Sequence, residues 1–90
     1  MDKDLQLLSS HIGRILTVKT LTVATAESCT GGLLSHVLTG VSGSSQYFVG
    51  GVVAYSNQIK ERILGVSPNT LLQHGAVSEQ TACEMAAGIL

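Results

Sequence analysis

Residues 21–26, LTVATA, are short, apolar and rich in β-branched side chains, and they run straight into ESCTGG. Leu33, Leu34, Val37 and Leu38 then recur at helical spacing up to Gly40. The apolar run suits a strand buried on both faces, and the spacing after it predicts a helix that stops near Gly40. No other feature restricts the fold as much, because a strand hidden on both faces needs a layer of helices on each side of its sheet.

The remaining segments agree with that requirement. Leu5, Leu8, Ile12, Ile15 and Leu16 predict an amphipathic helix over 4–18. SGSS at 42–45 reads as a turn, and YFVGGVVAYS at 47–56 as a second strand, in which Gly50 and Gly51 mark a bulge or close packing against a neighbour. NQIKERIL predicts a short helix capped by Ser56 or Asn57, with Ile59, Ile63 and Leu64 facing inward. In SPNTLLQHG, Ser67 is the N-cap, Pro68 the first helical residue and Gly75 the stop, and Ser78 caps a last helix in EQTACEMAAGIL. Helices alternating with buried strands predict an α/β layer protein with a mostly parallel or mixed sheet. Two strands are few for such a sheet, so residues 1–90 read as a single domain whose fold is incomplete.

Composition bears on the surface. Charged residues make up 12% of the chain, where a typical soluble domain has about 25%. Mean hydropathy is +0.36. A chain so short of polar cover is expected to hide part of its surface against a partner or against more of its own fold. Net charge is −1, the five cationic side chains are scattered, and the only aromatics are Tyr47, Phe48 and Tyr55. That pattern excludes a nucleic-acid surface, which needs a basic stripe and stacking rings. No apolar run approaches a membrane span, and MDKDLQLLSS does not resemble a signal peptide, so a cytoplasmic protein is expected. Cys29 and Cys83 lie far apart without a CxxC pair and read as free thiols.

The chemistry concentrates between the first strand and its helix. The start of a helix offers unpaired N–H groups and the positive end of a dipole, and Gly31 and Gly32 let an incoming group approach the backbone. Ser28 then reads as a nucleophile beside an oxyanion or phosphate cradle, or else Ser28 or Thr30 is simply an N-cap. There is no P-loop and no G-x-S-x-G, and His11, His36 and His74 show no metal spacing. The only aspartates are Asp2 and Asp4 at the N-terminus, which makes a Ser-His-Asp triad awkward. Lys60 is then the candidate base, or else simply a solvated lysine. It sits in the first turn of the 57–64 helix, where the dipole disfavours a cation, and Tyr55 at the end of the preceding strand can share the same crevice.

Three segments in order, AESCTGG at 26–32, GGVVAYSN at 50–57 with Lys60 and LGV at 64–66, and GAVSEQTACEMAAG at 75–88, resemble the CinA C-terminal domain family. Its enzymatic members are PncC-type nicotinamide mononucleotide deamidases. The resemblance implies a three-layer α/β/α fold and an amidohydrolase that converts nicotinamide mononucleotide to nicotinate mononucleotide and ammonia in pyridine nucleotide recycling, with no metal or other cofactor. It implies Ser28 as nucleophile, Tyr55 as proton relay or orienter and Lys60 as general base. Backbone N–H groups of Cys29, Thr30, Gly31 and Gly32 would hold the oxyanion, and the loop of Ser42, Gly43, Ser44 and Ser45 is a candidate for the substrate phosphate. A full domain of this family is longer, with a Gly-rich segment and further strands that would follow residue 90, so a domain shortened on its C-terminal side is expected. The expected partners are the nucleotide substrate and further copies of the chain, with no nucleic acid and no membrane. A different class of function is a non-catalytic CinA-like subunit that needs a partner chain, and a different nucleophile is Cys29, whose thiol would gain from the helix N-terminus.

Overall fold

A computed structural model describes residues 2–90. In chain order it holds α1 (Lys3–Lys19), β1 (Val23–Glu27), α2 (Leu33–Thr39), a 3₁₀ turn (Ser44–Gln46), β2 (Phe48–Val53), α3 (Asn57–Leu64), α4 (Pro68–His74) and α5 (Glu79–Ile89). The two strands pair in parallel, with α2 in the crossover between them. Val23 stands opposite Phe48 and Ala24 opposite Gly50, so Val49 is one residue too many and β2 bulges there. Beyond the bulge the register is regular as far as Glu27 opposite Val53. The other edge of β1 is unpaired among the described residues.

Strand alternation sorts the contacts by face. Thr25 and Glu27 point to α2, where both meet Ser35, and α1 packs beside α2 on that side. Ala26, Val52 and Ala54 point the other way, into a core built with Leu64, Val66 and Met85. Leu71 and Ile89 pack against its margin, which places α3, α4 and α5 on that face. The layers are therefore α/β/α, as the buried strand pattern requires. The core is narrow. Burying a side chain the size of Leu64 or Met85 contributes about 1.5–3 kcal/mol, and few residues of that size are fully hidden. The radius of gyration is 14.2 Å, against about 12 Å for a compact domain of this length.

Two helices turn differently from expectation. The α1 face assigned to Leu5, Leu8 and Ile15 stays exposed, and the buried positions are Ser9 and Gly13. A side chain at Gly13 would collide with the Tyr47 hydroxyl, so the missing Cβ is what lets Tyr47 lie against α1. In α3, Ile59 and Ile63 face outward while Lys60 and Leu64 are buried. Positions four apart share a helix face, and here the inward pair begins with the lysine.

Candidate active site

Because the strands are parallel, their C-terminal ends lie side by side. The Ala54 amide donates to the Glu27 carbonyl at 2.7 Å, which carries the ladder past both strands and brings Ser28 and Tyr55 out on neighbouring chains. Residues 28–32 then form a tight turn in which the Gly31 amide donates to the Ser28 carbonyl and the Leu33 amide to the Thr30 carbonyl, each at 3.1 Å. Gly31 and Gly32 have φ of 62° and 108°, in the region that side chains disfavour, so this turn depends on the glycine pair.

Neither Ser28 nor Thr30 caps α2. The cap position is Gly32, which has no side chain to offer, and the work is done by Glu27 from the strand. One Glu27 oxygen accepts from the Leu34 amide at 2.7 Å and the Thr30 hydroxyl at 2.9 Å. The other accepts from the Ser35 amide at 3.0 Å and the Ser35 hydroxyl at 2.6 Å. The Ser35 hydroxyl is also 2.7 Å from Thr25 Oγ1. Burial pushes the Glu27 carboxyl up, and the Ser35 hydroxyl and amide, the Leu34 amide and the Thr30 hydroxyl together outweigh it, holding the group down to about 2 against an ordinary 4.5. Glu27 is therefore a buried, charged carboxylate at neutral pH, 3% exposed.

This changes where negative charge can be received. The amides of Leu34 and Ser35 at the start of α2 are taken by Glu27 and are not open to an oxyanion. The amides of Cys29, Thr30 and Gly32 carry no hydrogen bond among the described residues, so the turn itself still offers donors, while the Gly31 amide is engaged. The Ser28 hydroxyl likewise has no partner there, and Ser28 is half-buried.

Lys60 is 1% exposed, and its Nζ donates to the Tyr55 carbonyl at 3.0 Å. The lysine is thus anchored at the end of β2, one strand over from Ser28. It meets Tyr55 through the main chain, and the Tyr55 side chain is 73% exposed. Ser28, Cys29 and Thr30 border a cavity of about 830 Å³ that follows the unpaired edge of β1, walled by Leu34 on one side and Met85 on the other. Tyr55 and Lys60 do not line it. The Cys29 thiol is exposed and unbonded to Cys83.

Ser42, Gly43 and Ser44 are not brought to Ser28. They precede β2, and the Val23 amide donates to the Tyr47 carbonyl at 2.8 Å, which fixes this loop at the N-terminal end of the parallel pair. Six residues of strand, at about 3.3 Å each, separate that end from Ser28. The loop borders α1 instead, with the Ser44 hydroxyl donating to the Thr39 carbonyl at 3.2 Å. Among the described residues no group of three or more His, Cys, Asp or Glu side chains is placed to hold a metal ion, and no helix is long and apolar enough to cross a membrane.

Glu27 was the residue that spacing alone did not single out for this site. Its signal in the sequence is a lone acid on the same strand face as Thr25, seven and eight residues before Leu34 and Ser35.

The family model described as the CinA C-terminal domain matches residues 5–90. A CinA-like protein of Chloroherpeton thalassium is 58% identical over 83 residues, 92% of this chain and 20% of that protein. A putative competence-damage inducible protein of Desulforamulus reducens is 53% identical over 87 residues, 97% of this chain and 21% of that protein. Among solved structures, the competence/damage inducible protein CihA of Agrobacterium tumefaciens superposes with a TM-score of 0.97 at 46% identity, covering 100% of this chain and 55% of that one. A CinA superfamily protein of Escherichia coli gives 0.93 at 35% identity, covering 99% and 53%. The chain thus spans about a fifth of these curated relatives and about half of the solved chains.

Proposed function

The chain belongs to the CinA C-terminal domain family, and we propose that within it Ser28 is the nucleophile of an amidohydrolase that releases ammonia from nicotinamide mononucleotide. The observation that carries this reading is the state of the hydroxyl. Ser56, Ser67 and Ser78 each accept an amide at the start of a helix, while Ser28 has that duty lifted from it by Glu27 and presents an unengaged oxygen beside a cavity. The choice of nicotinamide mononucleotide rests on the resemblance of the three sequence segments.

The chemistry is acyl transfer. The Lys60 amine, held on the Tyr55 carbonyl, takes the Ser28 proton directly or through the Tyr55 phenol. Ser28 Oγ attacks the carboxamide carbon, and the oxyanion is held by the free amides among Cys29, Thr30 and Gly32. The proton passes to the leaving nitrogen, ammonia departs, and water cleaves the acyl-serine. The phosphate of the substrate is held by donors other than the Ser42 loop of the same chain, since that loop lies at the far end of the strands. Ammonia release by the wild-type chain, lost in Ser28→Ala while circular dichroism stays unchanged, is the expected result. Equal release by both proteins overturns it.

The unpaired β1 edge and its apolar groove favour a second reading, in which this chain is a subunit seated against a partner. Leu7, Val18, Leu72 and Val77 are also exposed and support self-association in a cytoplasmic oligomer. A folded wild-type chain that releases no ammonia until a partner is added is the outcome that selects it.

A further inference from the structure

We propose that Glu27 is a positioning residue, whose carboxylate ties the end of β1 to the first turn of α2 and thereby sets the geometry of the Ser28 turn. The proposal rests on Ser28 being the nucleophile. Three observations lead to it.

First, the bonds close a ring. Glu27 is covalently next to Ser28, and its side chain is bound to Leu34 and Ser35 at the far end of the turn and to Thr30 inside it. Residues 28–32 are held at both ends by one rigid group. Hydrogen bonds to a charged, buried acceptor are among the stronger ones a protein makes. Second, all four donors are neutral groups, two of them backbone amides, so the arrangement is a fitted cradle and not a surface ion pair. Third, the cradle decides which donors remain. Because Glu27 occupies Leu34 and Ser35, an oxyanion formed at Ser28 must be received by the turn amides, and those point where the ring holds them. Displacing a nucleophile by about 1 Å costs about 100-fold in rate, so the ring acts on turnover even though Glu27 never meets the substrate.

The test uses the full chain with nicotinamide mononucleotide as substrate and amide hydrogen exchange as an independent readout. Glu27→Gln keeps the shape but points an NH₂ group at one hydroxyl, which can turn to accept, and at one backbone amide, Leu34 or Ser35, which loses its acceptor. The expected result is kcat lower by about 100-fold with KM within about 3-fold of wild type, since the substrate-binding contacts are untouched. Exchange of amides 29–35 should quicken by about 10-fold or more while α5 is unchanged. Ser35→Ala, which deletes one donor and leaves the charge, is the second variant, with kcat lower by about 10-fold at unchanged KM. If kcat in both variants equals wild type, or if exchange at 29–35 does not change, Glu27 does not position the turn. A wild-type chain that releases no ammonia either alone or with a partner chain overturns the amidohydrolase reading instead, and exchange still decides for or against Glu27.

Discussion

Helix starts in this protein are built in two ways. At α3, α4 and α5 a serine immediately before the helix turns its own oxygen onto the Ile59, Asn69 or Thr81 amide, each at 3.2 Å. At α2 the cap comes from Glu27, seven residues ahead of the first amide it binds, and the turn between them contains Ser28. The first arrangement is local, neutral and worth about 1 kcal/mol per helix. The second is charged, buried and non-local. It frees a hydroxyl at the one junction where both strand ends meet. A serine that begins a helix is ordinarily structural, and the exception here is made possible by its neighbour in sequence.

The largest effect should come from the lysine anchored at the end of the neighbouring strand. Lys60→Met keeps the aliphatic stem and removes the amine from the Tyr55 carbonyl, and kcat for ammonia release should fall by about 10³-fold or more. Turnover near the wild-type level would detach the β2 end from the chemistry of Ser28.

A smaller effect separates the two kinds of cap by acid. Glu27 has its carboxyl lowered to about 2 in the folded chain, so its stabilisation is complete above about 4.5 and is lost as pH falls through 2. A shift of that size corresponds to stability on the order of 3 kcal/mol. Glu84, lowered by the Thr70 hydroxyl and the Ser67 amide, loses its contribution in the same direction. Chemical denaturation at a series of pH values should show an acid limb between pH 4.5 and 2 that shrinks in Glu27→Gln. An unchanged limb in that variant would place the charge of Glu27 outside the stability of α2. The hydroxyl caps have no proton to gain in this window.

The smallest effects sharpen the comparison most directly. Ser56→Ala, Ser67→Ala and Ser78→Ala should each lower unfolding free energy by about 1 kcal/mol, whereas Ser28→Ala should leave it within about 0.5 kcal/mol. Denaturant midpoints at neutral pH measure all four. A loss at Ser28 as large as at the other three would mean that it is a structural serine after all.

What could be read in the sequence follows the same division. Ser67, Pro68 and Gly75 mark α4 from the residues alone, because caps, proline and glycine act within one turn of themselves. The 57–64 helix and the strand, turn and helix around Ser28 were legible for the same reason. Contacts that depend on chain reversal were not. The Glu27 cradle needs α2 to fold back over β1, and the burial of Lys60 in place of Ile59 and Ile63 needs a face set by α5. The distance of Ser42, Gly43 and Ser44 from Ser28 follows from the parallel direction of β2, which the expectation of a mostly parallel or mixed sheet left open for this pair.

Gly51 shows how far the cradle reaches. A β-carbon there would run into Thr25 Oγ1 and come within 2.9 Å of Ser35 Oγ, the two oxygens bonded to each other behind Glu27. The blank on β2 is thus the seat of a lever. One methyl group added at that seat would press through two hydroxyls onto a carboxylate and tilt the turn that bears Ser28. The second strand therefore makes room for the Glu27 cradle on the strand next door, through an atom it lacks.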